Sequence, residues 1–537
     1  MDEDDTSASR LDAVIVGAGF AGMYMLHRLR GLGLRARVLE AGDGVGGTWY
    51  WNRYPGARCD VESMEYSYDF SDDLQQSWTW TERYASQPEI LRYAEHVADR
   101  FDLRRNIQFD TRVSRAAFDE STDRWAVATE AGDELSAQFL IMATGCLSSA
   151  NTPDFAGLDQ FGGDTFHTGR WPQAGVDFTG RRVGVIGTGS SGVQAIPIIA
   201  AQADHLTVFQ RTAAWVVPSR NGALDPEIQQ QVKADYPAFR AANREMVVAF
   251  GSGNPSNDVS VLTVDHGERA AQFEARWSQG GLAFMGSFND LMIDPAANAF
   301  AADFVRDKIH QIVTDPEVAD RLSPDTLIGC KRLCLGTDYY ETYNRPNVTI
   351  VDVGHQPISE ITPTGVRVGD IVHQVDTLVL ATGFDAMTGS LLAIDIRGRG
   401  DLSLRGAWAE GPRTYLGLST VGFPNLFTIS GPGSPSVLTN MVVSIQQHVD
   451  WIADCVTYLR DHDQATIEAT TPAQDWWVGY VNAIADLTLY PSCNSWYLGA
   501  NVPGKPRVFM PLLGFPTYAE QCADIVAKGY EGFTLAG

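Results

Sequence analysis

The chain has 537 residues, of which 44% are hydrophobic and 20% are charged. These are ordinary values for a folded protein, so extended disorder and collagen-like repeats are excluded, and the length predicts two or three domains. The 66 acidic residues outnumber the 40 basic ones and give a formal net charge of −26. Such a charge repels phosphate backbones and anionic lipids, so neither nucleic acid nor membrane is an expected partner.

The N-terminus and the cysteines predict a cytoplasmic location. The acidic residues 1–5 carry the wrong charge for a secretory or mitochondrial leader, and the tail up to about Ser9 is predicted to be disordered. Seven scattered cysteines without a CxxC motif argue against a disulfide framework and against a dithiol redox centre. Cys330 and Cys334 are four residues apart, but no second pair completes a zinc site, so no metal is expected.

Two βαβ units are predicted in chain order. The first consists of a buried strand at residues 11–16, a helix at 21–32 and a strand at 35–40. The second has a strand from residue 181, a helix at 190–203 and a strand at 205–210. Repeated units of this kind are typical of doubly wound sheets, so the predicted fold class is α/β with two Rossmann-like dinucleotide-binding domains.

The first glycine motif, Gly17-x-Gly19-x-x-Gly22, lies between the first predicted strand and helix and includes Phe20. At such a turn the backbone can approach a pyrophosphate at the positive end of the helix. Glu40 ends the next strand, 18 residues after Gly22. Its carboxylate accepts hydrogen bonds from a ribose 2′-hydroxyl and repels a 2′-phosphate, which favours FAD or NAD over NADP. A glycine-rich turn without a ligand is the alternative.

The second glycine motif consists of Gly187, Thr188, Gly189, Ser190, Ser191 and Gly192. After its second strand come Arg211 and Thr212, close to the position that Glu40 occupies in the first unit. A guanidinium there suits a 2′-phosphate and predicts NADPH, although a solvated arginine at a strand end is the alternative. One site thus selects against a 2′-phosphate and the other selects for it. This combination is typical of a flavoprotein that is reduced by NADPH.

The rest of the pattern divides the chain into further segments. Residues 221–330 have helix-type apolar spacing and predict a helical insertion, while 348–353 and 377–380 predict strands. The predicted parts are an FAD-binding domain (1–150 and 385–537), an NADP-binding domain (151–220 and 331–384) and the insertion (221–330).

Two longer motifs resemble those of the type I Baeyer–Villiger monooxygenases. Residues 161–172, which include His167 and Trp171, match FxGxxxHxxxWP at every fixed position. Residues 46–60 match [AG]GxWxxxx[FY]P[GM]xxxD and end at Asp60. The resemblance extends from residue 14 to about 510 and is closest to the phenylacetone, steroid and cyclohexanone monooxygenases. It implies conversion of hydrophobic ketones to esters or lactones with FAD, NADPH and O₂ through a flavin C4a-peroxide.

The resemblance also implies roles for a basic pair, Lys331-Arg332. Arg332 matches the family's arginine that stabilises the peroxide anion, and a guanidinium suits this task because it keeps its charge when buried. Asp60 matches the acid that orients this arginine, and Lys331 is expected beside Arg211 at the ribose phosphate. A surface basic pair is the alternative.

The remaining implied residues fall into four groups. The flavin contacts are Glu40, Thr48, Trp49, Asp60, Tyr66 and Val113. His167 and Trp171 are expected to couple the domains, Trp496 to contact NADP when a loop closes, and Leu438 and Met441 to line the substrate pocket.

Two other functions remain open. A flavin monooxygenase that oxidises sulfur or nitrogen through the hydroperoxide would keep both glycine motifs but depend less on Arg332. A non-catalytic dinucleotide sensor would keep its flavin oxidised under anaerobic NADPH. The native ketone and the oligomeric state are not predicted, and a monomer is compatible with the sequence.

Overall fold

The computed structural model describes residues 10–509 and 514–537. The tail predicted to be disordered lies outside these residues. The strands of the described residues are, in chain order, β1 (Arg10–Val16), β2 (Ala36–Leu39), β3 (Ile107–Gln108), β4 (Val113–Asp119), β5 (Arg124–Thr129), β6 (Glu134–Met142), β7 (Asp164–His167), β8 (Arg182–Ile186), β9 (His205–Gln210), β10 (Val216–Pro218), β11 (Cys334–Gly336), β12 (Val348–Asp352), β13 (Ile358–Thr362), β14 (Gly365–Val368), β15 (Ile371–Gln374), β16 (Thr377–Leu380), β17 (Asp395–Arg397), β18 (Leu426–Thr428), β19 (Thr466–Ala469) and β20 (Phe533–Ala536).

The α-helices of the same residues are α1 (Phe20–Gly31), α2 (Thr48–Trp51), α3 (Asp72–Ser77), α4 (Gln87–Arg100), α5 (Ser190–Gln202), α6 (Pro226–Ala234), α7 (Tyr236–Arg244), α8 (His266–Gln279), α9 (Pro295–Ile312), α10 (Pro316–Leu322), α11 (Tyr339–Thr342), α12 (Gly389–Leu392), α13 (Leu404–Ala407), α14 (Met441–Asp461), α15 (Thr471–Asp486) and α16 (Phe515–Ala527). Within the described ranges, none of these helices is long and apolar enough to cross a membrane. The cytoplasmic location stays a prediction.

The first sheet has the order β17-β4-β5-β6-β1-β2-β3, with β18 also paired to β6. β1 is parallel to β2 and to β6, and Ala13, Val14 and Ile15 in its centre have no exposed surface. A strand covered on both faces reads as a continuous apolar run, which is why the sequence predicts it correctly. Two strands from the second half of the chain, β17 and β18, complete this sheet, so the sheet is built from segments that are far apart in sequence.

The second sheet consists of five parallel strands in the order β12-β9-β8-β16-β7. β8, α5 and β9 form the predicted second βαβ unit, and β12 and β16 are the two strands predicted farther along the chain. The two Rossmann-like folds of the predicted α/β class are therefore confirmed.

Helices α6 to α10 occupy the segment predicted as a helical insertion. Phe273 of α8 and Val305 of α9 belong to the same buried cluster as Val185 of β8, so these helices extend the core of the second fold. The domain boundaries themselves stay predictions.

Among the described residues, a single disulfide joins Cys330 to Cys493, although the scattered cysteines argue against a disulfide framework. The two cysteines are 163 residues apart, and only the folded chain brings them together, so their spacing carries no signal. The five other cysteines are free and buried.

Candidate active site at the junction of the two dinucleotide-binding folds

Both glycine motifs form tight turns, and a larger residue at the last glycine of either motif would force the backbone to move. A Cβ at Gly22 would lie 1.8 Å from the carbonyl oxygen of Gly17, and one at Gly192 would lie 2.3 Å from that of Gly187. The helices α1 and α5 therefore begin directly against the ends of β1 and β8. Around Gly189 the space is open, since no described heavy atom beyond its chain neighbours lies within 4 Å of its Cβ position. At each turn, the first backbone N–H groups of the helix have no hydrogen-bond partner among the described residues, which fits a pyrophosphate.

Glu40 closes the first turn from the end of β2. Its side chain is buried and accepts hydrogen bonds from the N–H groups of Ala18 (2.6 Å) and Gly42 (2.8 Å). Burial raises the pKa of Glu40, and these two hydrogen bonds oppose the rise. Each carboxyl oxygen keeps a further lone pair, so Glu40 can hold the turn and still accept from a ribose hydroxyl.

An aromatic group lies beside this turn. The indole N–H of Trp49 donates to the hydroxyl of Tyr66 at 3.2 Å, and the ring of Phe20 lies 5.9 Å from that of Tyr66. Burial raises the pKa of Tyr66, so its hydroxyl stays neutral. Thr48, at the start of α2, is exposed, and Val113, at the start of β4, is buried in a separate core cluster. The structure thus brings three of the expected flavin-side residues into contact.

Arg211 and Lys331 form a pair of cations beside the second turn. Arg211 is exposed after β9, whereas Lys331 is partly buried. Burial lowers the pKa of Lys331, and the positive charge of Arg211 lowers it further. Within residues 10–509 and 514–537, neither forms an ion pair. Thr212 anchors the same loop, because its carbonyl accepts a hydrogen bond from the buried Thr188 hydroxyl at 3.0 Å. An anion such as a 2′-phosphate would balance the positive charge of these two side chains.

Arg332 and Asp60 form a bidentate ion pair where the two folds meet. Nε donates to Oδ2 at 2.6 Å and Nη2 donates to Oδ1 at 3.1 Å, while Nη1 donates to the carbonyl of Val437 at 2.9 Å. The two side chains are only 19% and 29% exposed. Burial acts to lower the pKa of Arg332, but the carboxylate outweighs it, so the pKa is raised and the charge is permanent.

An apolar cluster adjoins this ion pair. Leu438 and Met441, the residues expected to line the substrate pocket, pack against it, and so does the partly buried Trp496. Its buried members include Cys146, Cys330, Met387, Val437, Tyr490, Cys493, Tyr497 and Phe509. The guanidinium therefore borders an apolar wall that carries few polar groups.

His167 and Trp171 are packed inside the second fold. The Nδ1 atom of His167 accepts from the N–H of Gly169 at 2.9 Å, and Nε2 faces the carbonyl of Asn151 (3.3 Å) and the Thr382 hydroxyl (3.2 Å). Burial lowers the pKa of His167, so the ring is neutral and fixed in orientation. Trp171 is also buried, with its ring 5.5 Å from that of Phe166.

One contact between the folds is not predicted by sequence reasoning. The hydroxyl of Tyr54 donates to the Gln194 side chain at 2.8 Å, and Gln194 donates to the carbonyl of Arg58 at 3.1 Å. This contact fastens the loop that carries Asp60 to helix α5. Tyr54 stands at a fixed motif position, which is a signal for importance, but the motif does not name its partner.

Two dinucleotide-binding folds that carry opposite charges after β2 and β9, and that meet at the partly buried Arg332 beside an apolar wall, are typical of an NADPH-dependent flavoprotein monooxygenase. Residues 14–271 match the family described as pyridine nucleotide-disulphide oxidoreductase. The chain is 44% identical over 530 residues to a Baeyer-Villiger monooxygenase of Pseudooceanicola batsensis, covering 98% of this chain and 96% of that protein.

Two further proteins are similar over their full lengths. Phenazine N-monooxygenase of Lysobacter antibioticus is 41% identical over 536 residues, covering 99% of this chain and 98% of that protein. A solved structure of oxidized steroid monooxygenase bound to NADP is 53% identical, with a TM-score of 0.93, covering 98% of this chain and 99% of that one. The chain belongs to the Baeyer–Villiger monooxygenase family.

Proposed function

We propose that the protein uses FAD, NADPH and O₂ to insert one oxygen atom beside the carbonyl of a hydrophobic ketone, which gives an ester or a lactone. Bound FAD, once reduced by NADPH, supplies the activated oxygen. The first glycine turn, Glu40 and the aromatic group around Tyr66 hold the flavin in this proposal. The second turn, Arg211, Thr212 and Lys331 hold NADP.

The ion pair between Arg332 and Asp60 carries the proposal. Attack on the carbonyl carbon of a ketone is favoured by a negatively charged oxygen nucleophile, and the attack moves this negative charge onto the carbonyl oxygen. A guanidinium that stays charged in a partly buried site stabilises this charge at both positions. Asp60 holds Arg332 with two hydrogen bonds, so the guanidinium does not have to be reoriented when the charge develops.

The apolar cluster supports a hydrophobic substrate. Leu438 and Met441 are partly buried against this cluster. The cluster includes Val437, whose carbonyl accepts a hydrogen bond from Arg332. One similar solved structure is that of a steroid monooxygenase, so bulky polycyclic ketones are the first substrates to test. Small cyclic, aryl and long aliphatic ketones follow. His167, Trp171 and Trp496 are proposed to couple NADP binding to closure of the site.

Arg332→Ala tests the proposed function. The variant should still be reduced by NADPH but should lose about a hundredfold or more in ester formation, as when a transition-state donor is removed. Arg332→Lys keeps a charge but loses the bidentate contact, so it should recover only part of the activity. Stopped-flow reduction and mass spectrometry of the ketone product give the two readouts. Unchanged ester formation by Arg332→Ala would contradict the role.

Nitrogen oxidation is the second candidate, and the phenazine N-monooxygenase relative favours it. Oxidation at an electron-rich nitrogen uses an electrophilic, protonated oxygen donor, so it should depend far less on Arg332. Aromatic N-heterocycles belong in the same product screen as the ketones. If the wild type forms N-oxides and no ester from any ketone class, the second candidate replaces the first.

A further inference from the structure

The disulfide between Cys330 and Cys493 joins two segments of the candidate active site. Cys330 directly precedes Lys331 and Arg332, and Cys493 precedes the short helix Trp496–Leu498. Both sulfurs belong to the apolar cluster that Leu438 and Met441 contact. The bond therefore links the guanidinium segment to the segment that carries Trp496.

We propose that Cys330 and Cys493 are a redox modification site, oxidised by hydrogen peroxide, whose disulfide fastens residues 493–509 over the NADP side of the active site. The proposal rests on the proposed function, because the same enzyme releases the peroxide when its activated oxygen does not react with a ketone. In the reduced state these residues are held only by non-covalent contacts, so the active site opens more readily.

The five other cysteines are poor candidates for this chemistry. They are Cys59, Cys146, Cys334, Cys455 and Cys522, all free and buried. Burial raises the pKa of each of these thiols, and that of Cys146 reaches about 11. Cys330 and Cys493 are buried as well, so the feature that distinguishes them is that their two sulfurs lie within bonding distance of each other. The described disulfide joins two cysteines that both belong to the apolar cluster contacted by Leu438 and Met441.

The oxidant forms close to the site. When no ketone reacts, NADPH, a proton and O₂ give NADP⁺ and hydrogen peroxide. One thiol then attacks the peroxide, which releases water and leaves a sulfenic acid. The second thiol displaces a further water, so two thiols and one peroxide give one disulfide and two waters. Cys330 lies two residues from Arg332, at most about 7 Å along the chain. A small-molecule or protein thiol reverses the bond by exchange.

Non-covalent contacts hold the same segment when the disulfide is reduced. Lys505 Nζ donates to Asp385 Oδ1 at 2.5 Å, and the Lys505 side chain is only 9% exposed. Asn501 donates to the carbonyl of Phe384 at 2.8 Å. These contacts fasten the middle and the end of the segment, whereas Cys493 fastens its start. Reduction should therefore loosen the part that carries Trp496 without releasing the whole segment.

A thiol count on the FAD-loaded enzyme tests the modification. Wild type treated with hydrogen peroxide and then denatured should show five free thiols, and wild type treated with a phosphine in the native state should show all seven. A peptide containing both Cys330 and Cys493 should appear under non-reducing conditions after peroxide alone. A native pair that a phosphine cannot reduce, or that peroxide cannot re-form, would overturn the proposal.

The functional effect is read from NADP⁺ release and peroxide leakage. Reduced wild type, Cys330→Ala and Cys493→Ala should release NADP⁺ several-fold faster than the oxidised wild type and divert more NADPH into hydrogen peroxide. Peroxide treatment should reverse both effects in the wild type and in neither variant. Cys455→Ala, in the core of the first fold, is the control and should respond like the wild type.

The failure of this proposal can be distinguished from the failure of the proposed function. NADP⁺ release and the thiol count need no ketone, so a reversible bond with changed release in an enzyme that makes no ester leaves the modification standing. A bond that switches while NADP⁺ release and leakage stay equal makes the disulfide purely structural and refutes the proposal.

Discussion

In the proposed function, single charges distinguish the two positions that would bind the cofactor riboses. Glu40 is buried and fixed by two backbone N–H groups, whereas Arg211 and Lys331 have no carboxylate partner in the described part of the chain. Burial and the charge of Arg211 lower the pKa of Lys331, and a bound dianion would oppose this effect. In the proposed function, the bound 2′-phosphate therefore offsets the cost of bringing Lys331 into a partly buried site.

Arg211→Ala and Lys331→Ala should each weaken NADPH selectively. Loss of one hydrogen bond to a charged group costs about 1.5–3 kcal/mol, so the KM for NADPH should rise about 10- to 150-fold. The KM for NADH should change little, because NADH lacks the 2′-phosphate. Steady-state oxidation of both cofactors measures the ratio.

Arg220→Ala is the matched control for this experiment, because it removes an exposed arginine from outside the second turn. It should leave the preference for NADPH intact. An equal rise of both KM values in Arg211→Ala would show that the residue holds the loop rather than the phosphate.

At the scale of elements, the contact between α5 and the loop before Asp60 fixes how the two folds meet. Gly56 has a φ of +82°, and a Cβ there would lie 2.3 Å from the carbonyl oxygen of Gln194 in α5. Glycine is required for both reasons, since a side chain would strain the backbone and push the loop off the helix. Tyr54 and Gln194 hold the same surfaces together by hydrogen bonds.

Gly56→Ala should misplace Asp60 and through it Arg332. We expect a lower midpoint temperature of unfolding and slower reduction of the flavin by NADPH. Gly175→Ala is the matched control, since Gly175 also has a positive φ (+74°) but no described atom near its Cβ position. Both variants pay about 1 kcal/mol for the left-handed backbone, and only Gly56→Ala adds the clash. Flavin fluorescence during heating and stopped-flow absorbance measure the two effects, and equal behaviour of the two variants would refute the junction argument.

The elements of both βαβ units can be predicted from sequence because their signals are local. The strand predicted at residues 205–210 is β9 itself, and the helix predicted at 190–203 is α5 to within a residue. Contacts between distant segments carry no such signal. The carbonyl of Val437 that accepts from Arg332, the Tyr54–Gln194 contact and the disulfide all depend on how the folded segments meet.

Over the whole molecule, Glu65 connects three regions. Its carboxyl group is buried and accepts from the N–H of Gly251 at 2.8 Å, in the segment predicted as an insertion. The backbone carbonyl of Glu65 accepts hydrogen bonds from the side chains of Asn440, directly before α14, and Arg240 of α7. Burial, with a further contribution from Glu62, raises the pKa of Glu65 to about 8.

This raised pKa makes global stability depend on pH. In the unfolded chain Glu65 ionises near its ordinary value of 4.5, and in the folded protein near 8. Its stabilising contribution is therefore complete below pH 4.5, and it is lost as the pH rises to about 8. Each unit of pKa difference corresponds to about 1.4 kcal/mol, so the loss amounts to a few kcal/mol.

Glu65→Gln should remove this dependence, because the amide is neutral at every pH and its oxygen still accepts from Gly251. The Tm of the variant relative to the wild type should rise between about pH 5 and about pH 9. Taking the difference between the two proteins cancels the titration of other groups, and Glu134→Gln, at an exposed carboxyl, should show no such change. Calorimetry of the three FAD-loaded proteins at several pH values measures the effect. A difference that is constant with pH would mean that the Glu65 carboxyl is ionised in the folded protein, with its charge balanced by Arg240 and Arg83, the two cations that act to lower its pKa.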